Sequence, residues 1–312
     1  PGFNRYLMVP PSVMETHTCE LDADRRRQTI TIHTPRGDLS AVVDQHRHQA
    51  TGWRIKYAVE SVDDLKKLAE VPFELDGDNI TAAVQRYQQA LEQVADKGVL
   101  RLGVSSPIVC ISGCMAFELF LELSYTHSAL FHELCELVMT RVLAYLDALF
   151  ATGITFDTTA NLGGSEQCTP PMMHPEAFDE YVLPYDGPIV KRLREQGIPV
   201  NMHCHGKVRH ALKCMKAMGV DATDPVEPPP AGDVSFSEAR AIAGDDLTLV
   251  GNLEFDELES AEPDAIRQRV KDILSYGRRR MILGASAGPL TSITPTLAAN
   301  VKAWVETAIE HG

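Results

Sequence analysis

A surplus of positive charge is the first thing this sequence lacks. Its 312 residues carry 29 Lys and Arg against 43 Asp and Glu, a formal charge of −14. Nucleic acid and anionic membrane both need a basic surface, so neither is expected as the main partner. No stretch approaches the ~18 consecutive apolar residues of a membrane span, and no signal peptide opens the chain. The chain starts at Pro1 without a methionine, and an initial segment is expected to precede it. The seven cysteines (Cys19, Cys110, Cys114, Cys135, Cys168, Cys204 and Cys214) are odd in number and scattered, without the spacing of a disulfide framework or a zinc ribbon. Reduced thiols in a cytoplasmic protein follow. Phosphate loops are missing as well: neither G-x-G-x-x-G nor a Walker motif occurs. An enzyme or binding protein for a small molecule remains.

What is present is a rhythm. Residues 1–50 read as an irregular β-rich flank, in which Thr29-Ile-Thr-Ile-His-Thr-Pro-Arg-Gly37 alternates at period two before Pro and Gly, as in a hairpin. Trp53 to Val59 reads as a strand, Ser61 caps a short helix, and Asn79 to Lys97 is amphipathic. From Val99 onward six short apolar strands alternate with helices. The strands are Val99–Val104, Ile154–Asp157, Val200–His203, Asp221–Val226, Leu247–Gly251 and Met281–Leu283. Helices at Gly113–Leu123, Leu130–Phe150, Pro175–Gln196, Val208–Met218, Ser235–Ala243, Asp264–Tyr276 and Thr296–Ile309 fill the gaps. That alternation predicts parallel β/α architecture, a (β/α)8 TIM barrel in a single domain over 1–312, with a doubly wound sheet as the alternative.

The segment Ile198-Pro-Val-Asn-Met-His-Cys-His-Gly206 is the centre of this reading. His203 and His205 are two apart, so an extended backbone puts both on one face and Cys204 on the other. An arbitrary His-x-His pair is more often a core and a turn residue. Here the pair lies at the carboxyl end of a strand and is followed by glycine, where a barrel keeps its site. The next strand ends in Asp224-Pro-Val-Glu227-Pro-Pro-Pro, which fixes a carboxylate cheaply in entropy. His203, His205 and Glu227 would complete a His2Glu set for zinc or another divalent metal, with an open position. Other strand ends contribute Asp157, Asn252 with Glu254, and Ser286. The loop Gly163 to His174 carries Glu166 and reads as a pocket wall, and Cys168 in it is the one loop thiol flagged as reactive. Cys110, Cys114 and Cys135 sit in apolar helical runs and read as packing.

The segments Leu249-Val-Gly-Asn-Leu253, Met281-Ile-Leu-Gly-Ala-Ser-Ala-Gly-Pro289, Thr294-Pro-Thr-Leu-Ala-Ala-Asn-Val301 and Gly219-Val-Asp-Ala222 leading to Glu227 resemble the uroporphyrinogen decarboxylase superfamily in order. The resemblance covers roughly residues 99–312 and implies a (β/α)8 barrel, often dimeric. The decarboxylases of the superfamily use no metal and bind a tetrapyrrole through an N-terminal Arg-Gln-Ala-Gly-Arg stretch, which this chain does not show. Their late Gly-His-Gly is replaced by Ala285-Ser286-Ala287. The cobalamin-dependent methyltransferases of the superfamily hold zinc on a His-x-Cys pair, a glutamate and a late cysteine. His203 matches the histidine, His205 stands for the first cysteine, Glu227 matches the glutamate, and Ala285 or Ser286 stands for the last cysteine.

Two imidazoles and a carboxylate leave a harder Lewis acid than thiolates do, suited to oxygen ligands. The resemblance therefore implies a methyltransferase acting on a small oxygenated substrate, with a corrinoid on a partner protein as the other methyl carrier. Asp157, Glu166 and Asn252 are expected to line the pocket. The alternatives are a metal-free decarboxylase, with the histidines as acid and base, and a non-catalytic corrinoid- or tetrapyrrole-binding barrel.

Overall fold

The computed structural model describes residues 9–48, 52–288 and 293–312. The parts of the expected flank at 1–8 and 49–50, together with residue 51 and Pro289 of the late motif, lie outside the described residues. The chain separates into two compact units, 1–159 and 160–312.

The first unit opens with four antiparallel strands in sequential order, β1 (Met14–Glu20), β2 (Arg25–Ile32), β3 (Leu39–His46) and β4 (Gly52–Lys56). Leu39, Ala41 and Val43 alternate inward along β3, as a half-buried strand requires. The period-two segment from Thr29 is the second half of β2 and its turn, where the Gly37 N–H donates to the Thr34 carbonyl at 3.0 Å. Arg27 and Asp44, directly opposite across β2 and β3, form a two-pronged ion pair at 2.6 and 2.8 Å.

Helices α1 (Val62–Ala69), α2 (Gly77–Val94), α3 (Pro107–Ser112), α4 (Phe117–Thr126) and α5 (Ser128–Phe150) complete this unit, with β5 (Arg101–Ser105) between α2 and α3. Ser61 caps α1 by accepting from the Asp64 N–H. Phe120 of α4 and Phe131 of α5 are fully buried with ring centroids 5.8 Å apart, which locks that helical hairpin.

The second unit is the β/α repeat. Its strands β6 (Thr159–Gly163), β7 (Val200–His203), β8 (Ala222–Asp224), β9 (Thr248–Val250) and β10 (Met281–Ile282) pair in parallel and in chain order. Between them run α6 (Ala177–Tyr181), α7 (Leu183–Glu195), α8 (Arg209–Met218), α9 (Phe236–Ala243), α10 (Phe255–Ser260) and α11 (Pro263–Ser275), and α12 (Pro295–His311) follows β10. Gly219 closes α8 at φ +77, a left-handed angle that other residues adopt at a cost. Ser235 and Glu238 form a reciprocal capping box on α9. Leu253, Leu258, Ile266, Val270, Ile273, Leu297 and Ala303 make one buried cluster beneath α10, α11 and α12.

This is an α/β protein with a parallel sheet and an N-terminal antiparallel sheet, and five of the six strands expected after Val99 lie where they were read. The sixth, read at Ile154–Asp157, is not a strand: the strand of that repeat lies further on, at Thr159–Gly163. Phe156 is taken up by ring packing on Tyr87 (4.8 Å) and Phe150 (5.9 Å) rather than by the sheet. The helix read as Pro175–Gln196 is two helices, broken at Val182, where φ −113 interrupts the turn. No helix among the described residues is long and apolar enough to cross a membrane.

Candidate active site

Strand register explains how the site is assembled. In β6 and β7, Asn161 lies opposite Asn201, and His203 of β7 lies opposite Asp224 of β8. Asn201 and His203 are two apart and so share a face, while Val200 and Met202 are fully buried on the other. The Asn201 Nδ2 donates to Asn161 Oδ1 and to Asp224 Oδ1, both at 2.7 Å, and Asp224 Oδ1 faces His203 Nδ1 at 3.3 Å. A polar ladder thus crosses three strands and aims one imidazole.

The second imidazole is aimed by the next carboxylate. His205 Nδ1 lies 2.9 Å from Glu227 Oε1, and the Gly206 N–H donates to Glu227 Oε2 at 2.6 Å. Gly206 sits at φ +86, so it turns the chain at the strand end and presents its amide to the carboxylate, which any L side chain would strain. The rings of His203 and His205 meet edge to face with centroids 4.7 Å apart. Burial pushes the Glu227 carboxyl up, but the His205 and Gly206 hydrogen bonds outweigh it and hold the group below 4.5. The same Glu227 bond holds His205 above its ordinary 6.5, against burial.

Glu254, after β9, is tuned the opposite way. Burial raises its carboxyl, and the charges of Glu227, Asp256 and Glu257 add to the rise, opposed by a hydrogen bond from Ser286. Ser286 Oγ donates to Glu254 Oε2 at 3.1 Å and accepts the Phe255 N–H at 3.0 Å. Three acceptors at the carboxyl ends of β6 and β9, Glu166 Oε2, Asn252 Oδ1 and Glu254 Oε1, are buried without a hydrogen-bond partner among the described residues. Buried acceptors normally have partners, so these three have capacity to accept a hydrogen bond.

The expected residues are therefore distributed as follows. His203, His205, Glu227, Glu166 and Asn252 all follow the carboxyl ends of β6 to β9. The loop Gly163–His174 reaches this end too, since the Gly164 N–H donates to the His203 carbonyl and the Pro170 carbonyl lies 3.6 Å from where a Gly206 Cβ would stand. Asp157 is corrected: it precedes β6 rather than following a strand, because that strand starts at Thr159. Cys168 is fully buried, and burial together with nearby carboxylates pushes its thiol far up, so it is not the reactive loop thiol expected. Cys204 is buried on the opposite face, and Cys110, Cys114 and Cys135 are buried as packing residues. Sequence reasoning passed over Asn161, Asn201 and Asp224 as parts of the site. The signal for Asn201 was available, in the polar period-two series Asn201, His203, His205.

The donor types of His203, His205 and Glu227 suit a divalent cation. His205 Nδ1 and Glu227 Oε1, at 2.9 Å, stand at hydrogen-bond distance and would have to part slightly to ligate one ion, and His203, whose Nδ1 turns to Asp224 at 3.3 Å, would have to rotate to join them. Among the described residues, the one group of three such donors already converged within 4.8 Å lies elsewhere, at Asp179, His210 and Cys214.

Parallel strands with polar residues gathered after their carboxyl ends define a β/α-barrel type of site. The uroporphyrinogen decarboxylase (URO-D) family pattern matches residues 28–311, and the chain belongs to that family. Among solved structures it is similar to a methyltransferase from Methanosarcina mazei, at 18% identity and a TM-score of 0.59, over 85% of this chain and 74% of that one. A B12-independent methionine synthase from Shewanella sp. W3-18-1 aligns over 96% of this chain and 77% of that one, at 10% identity and a TM-score of 0.49. No curated protein matches the sequence.

Proposed function

We propose that this protein is a metal-dependent methyltransferase that moves a methyl group between a small oxygenated substrate and a corrinoid carried by a partner protein. The observation that carries the proposal is the cluster after three adjacent strands: the His203 and His205 rings 4.7 Å apart, Glu227 2.9 Å from His205, and Glu254 held by Ser286 at 3.1 Å, with the surroundings pushing Glu227 toward its charged form and Glu254 toward its protonated form. Pairs pushed apart in this way divide the work of holding charge and delivering a proton. His203, His205 and Glu227 would hold a divalent cation, which supplies Lewis-acid polarisation of a substrate oxygen when bound.

The remaining work falls to the chain's own groups. Glu166 Oε2 and Asn252 Oδ1 accept donors from the substrate and fix its orientation. Asn201 and Asp224 keep His203 in place. In the transfer the C–O bond of the substrate would break with its electron pair left on oxygen, and the corrinoid of the partner protein, when bound, would supply the electron pair for the bond that the methyl group gains. Glu254 delivers the proton that the departing oxygen takes up, with Ser286 holding its other oxygen.

The test is spectroscopic. Zinc-loaded protein mixed with cob(I)alamin and a panel of methanol and O-methyl ethers is expected to convert cob(I)alamin to methylcobalamin, and Glu254→Gln is expected to slow this by about 10²-fold or more. Conversion no faster than in protein-free controls would overturn the proposal. The family membership favours one other reading, metal-free decarboxylation with the His205–Glu227 pair as base and Glu254 as acid. Carbon dioxide release from a carboxylated tetrapyrrole, unaffected by chelator, would support that instead.

A further inference from the structure

The converged donor group on the helices stands apart from the strand-end chemistry. Asp179 lies on α6, and His210 and Cys214 lie on α8. His210 and Cys214 are four residues apart and so share one helical face, which α6 covers with Asp179. One carboxylate serves both: Asp179 Oδ2 bonds His210 Nε2, and Asp179 Oδ1 accepts from Cys214 Sγ at 3.4 Å. All three donor atoms lie within 4.8 Å of one another, and burial rises across the set from exposed Asp179 through half-buried His210 to buried Cys214.

Oxygen, nitrogen and sulfur gathered on one point are the donor set of a borderline-soft cation. Zinc takes all three, at about 2.0–2.3 Å, which spaces tetrahedral ligands roughly 3.3–3.8 Å apart. The Cys214–Asp179 distance already meets that spacing. The Asp179–His210 pair needs only to open slightly as the cation replaces the proton between them.

We infer that Asp179, His210 and Cys214 form a zinc site that ties α6 to α8, with water from the exposed side at the fourth position. On binding, the Cys214 S–H gives its proton to solvent and the thiolate ligates. The site is structural and independent of the proposed methyl transfer. A tie of this kind raises the melting temperature with the logarithm of free zinc once zinc exceeds its Kd.

Cobalt(II) substitution tests the inference, because a thiolate-to-cobalt charge-transfer band reports sulfur ligation, and His203, His205 and Glu227 contain no thiol. A Cys19→Ser background removes the exposed thiol. The band is expected in that protein, lost in Cys214→Ser and His210→Ala, weakened in Asp179→Asn, and kept in His203→Ala and Glu227→Ala. Circular dichroism confirms the fold of each variant, and the surface substitution Asp179→Asn keeps the test open if Cys214→Ser does not fold. No band in the background protein, a band undiminished in Cys214→Ser, or one lost only in His203→Ala would overturn the inference. The last outcome would assign the thiolate to the strand-end site instead.

Discussion

Glu227→Gln in metal-free protein tests the histidine–carboxylate pairing with the least change of shape. The wild-type carboxylate accepts the Gly206 N–H at 2.6 Å and faces His205 Nδ1 at 2.9 Å, with 11% of its side chain exposed. A glutamine offers one acceptor and one donor, so whichever way the amide turns, its NH2 meets either the Gly206 N–H or the protonated His205. A hydrogen bond involving a charged group contributes about 1.5–3 kcal/mol, and a buried donor left without a partner costs about 1–3 kcal/mol. The expected destabilisation is about 2–4 kcal/mol near the pH where both groups are charged.

That loss carries a pH signature. Glu227 is lowered from 4.5, so its contribution is present above 4.5 and fades as the pH falls through its depressed value. His205 is raised from 6.5, so its contribution is present below 6.5 and fades as the pH rises through its elevated value. The gap in urea midpoint between wild type and variant is widest between these limits and narrows on both sides. A gap that is flat with pH, or an unfolding free-energy difference smaller than about 0.5 kcal/mol throughout, would refute the pairing.

Two further substitutions probe how the site and the unit are held. Asn300, fully buried, donates its Nδ2 to the Leu258 carbonyl (3.0 Å) and the Ala261 carbonyl (2.7 Å), so Asn300→Ala strips two acceptors at the end of α10 and is expected to lower stability by about 2–3 kcal/mol in urea unfolding. Asn201→Ala cuts the ladder from Asn161 to Asp224 that aims His203; turnover is expected to fall at least about tenfold while the unfolding free energy falls by no more than ~2 kcal/mol, and unchanged turnover would show that His203 needs no such support.

The β/α repeat was legible because its punctuation is local. Ser235 with Glu238, Gly219 after Met218, and Thr294 before Pro295 mark helix ends through backbone groups a few residues away, and the apolar runs between them mark strands. Phe156 misled because an apolar residue beside a strand reads as part of it until its ring partners, Tyr87 and Phe150, are known. At the site, the His-x-His face followed from strand geometry alone. What each imidazole faces did not, since Asp224 and Glu227 are 21 and 22 residues away and only parallel register decides which carboxylate meets which histidine. Asp179 and Cys214 are 35 residues apart on two helices, and nothing in their local sequence links them.

The central claim is that His203, His205 and Glu227 hold a divalent cation, and metal content per chain tests it most directly. Zinc-loaded wild type, His203→Ala, Glu227→Ala and Cys214→Ser proteins, each dialysed and checked for fold by circular dichroism, are compared by elemental analysis. The account predicts that His203→Ala and Glu227→Ala each lose about one equivalent that Cys214→Ser retains. Equal metal content in wild type, His203→Ala and Glu227→Ala would contradict it.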